Sequence, residues 1–454
     1  MNTSSYSGGK ILQNLTQFFD KRLLDRLAKK SGFRKRSPKK ITPFGFIVGF
    51  IQACMSRGMF TYSSWAASIG NLTGRFASKQ ALWERMGKQA ADFAKEAFSH
   101  CFTQRLTATT IGKCSLLKRF KRVLLQDSTT LSLPQHLVDY YPGNRTKGVQ
   151  KAVARLQCIL NVATMHWLHI GLEAFTDNDQ KSSGIVIPLL KKGDLLLRDL
   201  GYFVLEVFKQ IKQQPAGSFG QAFFISRLHY KVNLYDLNGK PLTWKQLCRR
   251  GRQPVVDQII YIGQKQKVAV RLVMLKVPAK VANERVRRAK TDKDKRANHS
   301  DDYYQRLRYD LFITNVDEQV AGAKEIVQLY RVRWQIEILF KSWKKGGFGV
   351  QRIPWEAPAG ADIECINTIL YLMLLWMCVA VQRVYGCYCN TIRNRFGKCL
   401  SLMKLSIFVA RNFDALLWLS KHQLLQQLLK HCCYDKRKDR THMTDFIFAI
   451  QLND

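Results

Sequence analysis

Residues 330–345, YRVRWQIEILFKSWKK, carry five lysines and arginines and one acid, Glu337. Taken as a single α-helix at about 100° per residue, the stretch separates into two arcs. Tyr330, Arg333, Glu337, Lys341 and Lys344 follow one another at intervals of 3, 4, 4 and 3 and share one side. Leu329, Val332, Ile336, Leu339, Phe340 and Trp343 form an apolar arc beside them, as in a helix laid on a core. The polar row has two readings. It is a solvated face with i,i+4 pairs worth about 0.3–0.5 kcal/mol each, or it is one edge of a site whose other acids lie elsewhere in the chain.

Two short apolar runs supply candidates for those acids. RVLLQDSTTLSLP, 122–134, reads as a strand ending at Asp127, and DLLLRDLGYF, 194–203, as a strand reaching Asp199. Each has a plainer reading: a turn-capping Asp before Ser128-Thr129-Thr130, and a turn or helix-start Asp before Leu200-Gly201. Asp177, Asp179 and Asp194 compete with Asp199 for the second position. Carboxylates at strand ends, joined by one on a helix, can converge at a sheet edge and hold two divalent cations. Such a pair activates a nucleophilic oxygen and stabilises the leaving oxygen of a phosphodiester. Mg²⁺ suits oxygen ligands. The cations on the Glu337 face would then bind phosphates that the acids alone repel.

The whole-chain charge points the same way. The 454 residues carry 73 Lys and Arg against 33 Asp and Glu, a net charge of +40. That much positive charge self-repels and fits a polyanionic partner, nucleic acid before an acidic membrane surface. Hydrophobic residues at 46% and aromatics at 11% exclude a disordered chain. The 12 cysteines are scattered without zinc-finger spacing, as in a reducing compartment. MNTSSYSGGKILQNLTQFF lacks an unbroken apolar run, so no signal peptide is expected. CINTILYLMLLWMCVAV, 365–381, contains Asn367 and Thr368 and reads as a buried core helix rather than a membrane span.

Tyr330, two residues, Arg333, three residues, Glu337, six residues, Lys344 resembles the Y-R-E-K signature of DDE transposases of the IS-four group of bacterial insertion sequences. LLQDSTTL resembles their first-Asp strand, LLLRDLGYF their second-Asp block, and LFITNV the strand before the signature. The likeness covers roughly 118–385. It implies an α/β fold, an RNase H-like mixed-sheet core interrupted by a β-rich insertion, with helical N- and C-terminal parts. The stretch from Asp199 to Glu337 is long enough to hold that insertion.

The resemblance further implies that Asp127, Asp199 and Glu337 hold two Mg²⁺ ions, with Mn²⁺ able to replace them. Arg333 and Lys344 would contact phosphates at the transposon end, with Tyr330 beside them and Lys341 on the same face. Arg227, in FISRL, stands where the family often has a basic residue. Tyr309 stands where the family commonly has a tryptophan that stacks on a flipped base. The implied activity is cut-and-paste transposition by a homodimer on two ends of double-stranded DNA, with no membrane involved. The setting would be the bacterial cytoplasm, at the nucleoid. An inactive DNA-binding relative and an RNase H-like nuclease without strand transfer are the alternatives.

The texture of the chain suggests a division into parts. Residues 1–115 read as a helical basic DNA-binding domain, in which FRKRSPKK, 33–40, is either a solvated loop or a phosphate-contacting segment. Residues 116–224 and 316–390 read as the two parts of the catalytic core. Residues 225–315 read as the β-rich insertion, with Asn238-Gly239 as a hairpin turn, and 391–454 as a helical end. ARLQCILNVATMHWL and HIGLEAFT read as a hairpin, and SGIVIPLLKKG and VLEVFKQIKQQ as helices.

Overall fold

The computed structural model describes residues 20–37, 40–55, 60–103, 115–133, 135–146, 148–162, 166–176, 178–213, 221–250, 254–291, 300–345, 363–376, 382–416 and 419–435. Its N-terminal part is helical: α1 (Lys21–Lys30), α2 (Pro43–Met55), α3 (Tyr62–Thr73), α4 (Lys79–Trp83), α5 (Lys88–Thr103) and the single turn α6 (Ser115–Lys118). Side chains start these helices where the sequence offers oxygen acceptors. Asp20 accepts from Arg22 N at 2.8 Å, and Thr61 and Ser64 form a reciprocal capping box on α3. Trp65 is fully buried and donates its indole N–H to Phe46 O at 3.0 Å, tying α3 to α2.

The sheet begins with β1 (Arg122–Ser132), β2 (Pro142–Thr146), β3 (Val149–Asn161) and β4 (His166–Ala174). β1, β3 and β4 form an antiparallel meander. The expected hairpin is present, with β4 starting at His166, earlier than the division between the two runs suggests. The 181–189 stretch is a 3-10 helix (Lys181–Leu189) rather than an α-helix. Pro188 lies within it and cannot donate to an α-helical ladder. After β5 (Asp194–Arg198) come α7 (Leu205–Gln213) and β6 (Phe223–Arg227). β1, β5 and β6 run parallel, and β5 is buried at every position, as a central parallel strand covered on both faces must be.

The chain then forms β7 (Leu234–Tyr235), β8 (Pro241–Leu242), α8 (Trp244–Arg250), β9 (Val255–Ile262), β10 (Val268–Lys276), α9 (Ala279–Lys290), α10 (Asp301–Arg306) and β11 (Tyr309–Thr314). These strands are not a separate sheet. Among the described residues one 11-stranded sheet runs β2-β3-β1-β5-β6-β11-β10-β9-β7-β8, with β4 also on β3. The helices that follow are α11 (Ala323–Arg331), α12 (Trp334–Lys345), α13 (Ile363–Trp376), α14 (Gln382–Phe396), α15 (Leu402–Leu416) and α16 (Lys421–His431).

The two-residue period of the strands divides the core. Leu124, Leu196 and Phe224 face one layer with α7 and the 3-10 helix. Val123, Leu125, Leu195, Leu197 and Ile225 face the other, with the N-terminal helices, α12 and α13. Full burial of each such leucine contributes about 1.5–3 kcal/mol. The apolar run at 365 is a buried helix of this second layer, α13, as its sequence suggests. No helix among the described residues is long and apolar enough to cross a membrane.

Candidate metal and phosphate site

Strand parity decides where the acids point. Leu125 faces the α12 layer, and Asp127, two positions on, shares that face. Parallel pairing sets Leu125 beside Leu197 and Gln126 beside Arg198, so Asp127 and Asp199 occupy the next level of adjacent strands. Asp127 does not end its strand. It sits in the middle of β1, opposite Cys158 on β3. Asp199 follows β5 and starts the 3-10 turn Leu200–Tyr202.

The third acid arrives on a helix that is not continuous. Residues 330–345 form two helices rather than one. Tyr330 lies in the last turn of α11, Val332 and Arg333 form the joint, and Glu337 lies in the first turn of α12. At the joint the bonds tighten to i−3, from Arg333 N to Tyr330 O at 3.0 Å and from Gln335 N to Val332 O at 3.0 Å. The apolar arc holds on both sides of the break: Leu329, Val332, Ile336, Leu339, Phe340 and Trp343 are all buried. The Trp343 ring stands 5.3 Å from that of Trp167 on β4, fastening α12 to the sheet.

Arg333 is the centre of the site. Its Nη1 is 3.1 Å from Asp127 Oδ2 and 3.7 Å from Asp199 Oδ1, and its Nη2 is 2.6 Å from Glu337 Oε1. Its side chain is 13% exposed, against 15%, 27% and 41% for Asp127, Glu337 and Asp199. Among the described residues no three metal-ligating side chains are spaced to hold an ion directly. The three carboxylates are spaced around a guanidinium. One positive charge faces three acids, so the cluster has room for further cation. Its donors are hard oxygens, which suit a divalent ion of the Mg²⁺ type.

The electrostatics match that excess. Burial pushes Asp127 up to about 7, against the pull of Arg333 and of the Ser128 N–H; Asp199 and Glu337 add to the rise. Burial opposes the charge on Arg333, yet Tyr330 and the acids outweigh it and hold the guanidinium protonated more firmly than usual. Tyr330 is buried, which raises its phenol to about 12. Its ring lies 5.7 Å from the guanidinium carbon of Arg333 and 5.7 Å from that of Arg227, so two cations share one aromatic. Phe312 packs against it at 4.9 Å.

The remaining expected residues divide. Lys344 is half-buried, and burial lowers its pKa. Lys341 is exposed and places its ammonium 4.2 Å from the centre of the Trp334 ring, outside the acid cluster. Arg227 and Tyr309 line a cavity of about 340 Å³ with Leu200, Arg285, Tyr303 and Arg306. That cavity adjoins the second acid, because Leu200 follows Asp199. Of the rival acids, Asp194 is buried in an ion pair with Arg122, Nε to Oδ1 2.9 Å. Asp179 lies in a separate hydrogen-bond cluster, and Asp177 is outside the described residues.

Two placements, those of Arg306 and Arg85, carried no signal in local spacing. The partly buried Arg306 lies over Tyr230 and Trp244 at 5.2 and 5.4 Å. Arg34, Lys35, Arg36, Lys40 and Arg85 line a cavity of about 840 Å³ between the 33–40 loop and the α4–α5 segment. The run FRKRSPKK pointed to the loop, but only the fold adds Arg85.

The transposase DDE domain family matches residues 118–374 of the chain. Similar proteins include the transposase for insertion sequence element IS231B of Bacillus thuringiensis subsp. berliner. It is 27% identical over 358 residues, covering 74% of this chain and 72% of the relative. The transposase for IS231D of Bacillus thuringiensis subsp. finitimus is 27% identical over 342 residues, covering 71% of this chain and 70% of that one. Among solved structures, the piggyBac transposase synaptic complex with hairpin DNA aligns over 95% of this chain and 87% of its own. The TM-score is 0.39 and the identity 7%.

Proposed function

The chain belongs to the transposase DDE domain family and is a DNA transposase, and we propose that it moves an insertion sequence by cut-and-paste chemistry at Asp127, Asp199 and Glu337. The observation that carries this reading is the convergence of those three acids, from β1, β5 and α12, on Arg333. Members of the family use divalent metal ions. The three carboxylates would hold two Mg²⁺ ions, and ions bound there stabilise charge on the attacking and leaving oxygens of a phosphodiester.

The chain's own residues supply the rest. Arg333 releases the acids and turns to a phosphate of the transposon end. Lys344, half-buried, gains an anionic partner in the same phosphate backbone. Tyr330 keeps Arg333 and Arg227 against one ring. Tyr309 lines the cavity beside Asp199, where an unstacked base at the cleaved end fits, with stacking worth about 1–3 kcal/mol. The Arg34–Lys40 loop and Arg85 take further backbone phosphates.

In the reaction, water breaks a P–O3′ bond at the element's end and leaves a 3′-OH. That hydroxyl attacks the opposite strand, giving a hairpin, and opening then exposes it for attack on target DNA. Each transesterification exchanges one P–O bond for another, so positioning and charge stabilisation suffice. Two copies of the chain on paired double-stranded ends would hold both reactions in register.

The test is cleavage of end-bearing DNA by wild type and Glu337→Ala with Mg²⁺. Wild type should nick, hairpin and join ends, and the variant should only bind them. A wild type that binds without nicking would instead be an inactive relative. One that nicks but never joins an end to a target would be a nuclease of the same fold.

A further inference from the structure

We propose that Asp179, which no comparison assigns, is the positioning residue that holds the first two acids of the site at a fixed separation. This rests on the reading of Asp127 and Asp199 as metal ligands. Asp179 precedes the 3-10 helix at 181–189, far in sequence from β1 and not part of the Arg333 cluster. Its Oδ1 accepts from Ser128 Oγ at 2.8 Å, Arg155 Nη1 at 3.1 Å and Gln157 Nε2 at 3.1 Å. Ser128 directly follows Asp127, and its N–H donates to Asp127 Oδ1 at 2.8 Å. One residue therefore joins the two carboxylates: its backbone orients Asp127 while its hydroxyl is held by Asp179.

The same carboxylate reaches the second acid from the other side. A Cβ on Gly201 would lie 3.0 Å from Asp179 Oδ2, so the turn that begins at Asp199 rests against Asp179. Gln157 closes the loop, accepting from the Tyr202 hydroxyl while donating to Asp179. Ser183 Oγ donates to Tyr202 O at 3.1 Å, fixing that turn to the segment bearing Asp179. Asp179 thus touches the neighbour of Asp127, the turn of Asp199, and β3, which flanks β1 on the side away from β5. Arg155 and Gln157 are each at least nine-tenths buried. A carboxylate receiving three donors, two of them from such groups, does not drift. Partners that orient ligands from outside the coordination sphere typically govern metal affinity by about 10–100-fold.

Asn at 179 keeps the Oδ1 acceptor and Ala removes it. The experiment measures Mn²⁺ binding to the end-DNA complex by electron paramagnetic resonance, alongside single-turnover end cleavage and thermal unfolding. Asp179→Ala should raise the Mn²⁺ half-saturation about 10–100-fold, and Ser128→Ala should move it in the same direction without leaving a buried charge. Asp179→Asn should restore most of the affinity. A merely structural role would lower the melting temperature of Asp179→Ala and leave half-saturation unmoved in both Asp179→Ala and Ser128→Ala. That result overturns the proposal. So does an Asp179→Asn variant as inert as Asp127→Asn, which would make Asp179 a ligand itself. If Asp127→Asn cleaves like wild type, the site reading fails first, and separately.

Discussion

Arg333 Nη1 stands 3.1 Å from Asp127 Oδ2, across 206 positions of the chain. Without metal, the guanidinium is what keeps three acids together. Arg333→Gln should therefore destabilise the metal-free protein by about 3 kcal/mol, the cost of removing one partner of a buried ion pair. Added Mg²⁺ should raise the melting temperature of the variant more than that of wild type. Thermal unfolding of both proteins with and without Mg²⁺ checks this; equal shifts would mean that ion and guanidinium do not share a place.

Asp127 titrates near 7 in the folded chain, against about 3.9 when unfolded. The folded state holds its proton more tightly, so the stability from this group is complete below about pH 4. It is lost as the pH rises through 7. Asp127→Asn removes that loss. The melting temperature of the metal-free variant relative to wild type should climb between pH 4 and 8. Divalent binding near pH 6.5 should also expel a proton from wild type, read by calorimetry in buffers of different ionisation enthalpy. A flat difference across the range would show that Asp127 is ionised throughout.

Lys344 and Glu337 share a helix but should fail differently. Lys344→Ala should weaken end binding about 10-fold and reduce the slope of log affinity against log salt by about 1, one phosphate contact. Metal binding should persist. Glu337→Ala should abolish cleavage and leave end binding close to wild type. Fluorescence anisotropy at several salt concentrations, beside a cleavage assay, separates the two.

The Tyr330 ring lies 5.7 Å from the guanidinium carbons of both Arg227 and Arg333 and packs against Phe312. Tyr330→Phe keeps the ring and should change stability by less than about 1 kcal/mol. Tyr330→Ala should cost about 3–5 kcal/mol, as for other buried aromatics. Denaturant unfolding measures both. Comparable losses would show that the hydroxyl, rather than the ring, holds the joint.

Much of this was readable along the chain. Apolar runs located β1, β5, β6 and the antiparallel β11, because a strand buried on both faces needs hydrophobic residues on both. The intervals around Glu337 placed Arg333 and Glu337 on one side of a helix. The break at Val332-Arg333 was not readable, since 3-10 and α-helical spacings differ too little over three residues to mark a joint. The same limit hid the 3-10 helix at 181–189. Nor could the run around 255–276 announce that its strands extend the core sheet, because pairing partners are set by long-range register and not by composition.

The sequence by itself determined the charge, the acids and the side of each element on which they lie, since helix and strand periods are local properties of the backbone. Only the tertiary structure decided which acids meet. Parallel pairing of β1 with β5 brings Asp127 to Asp199, packing of α12 on the sheet adds Glu337, and burial turns Arg333 from one cation among five into the centre of the cluster. The separation of Asp194 and Asp179 from that cluster was settled in the same way. Arg122 claims one, and Ser128, Arg155 and Gln157 claim the other. A carboxylate's role depends on which donors the fold brings within about 3 Å, and sequence spacing does not carry that distance.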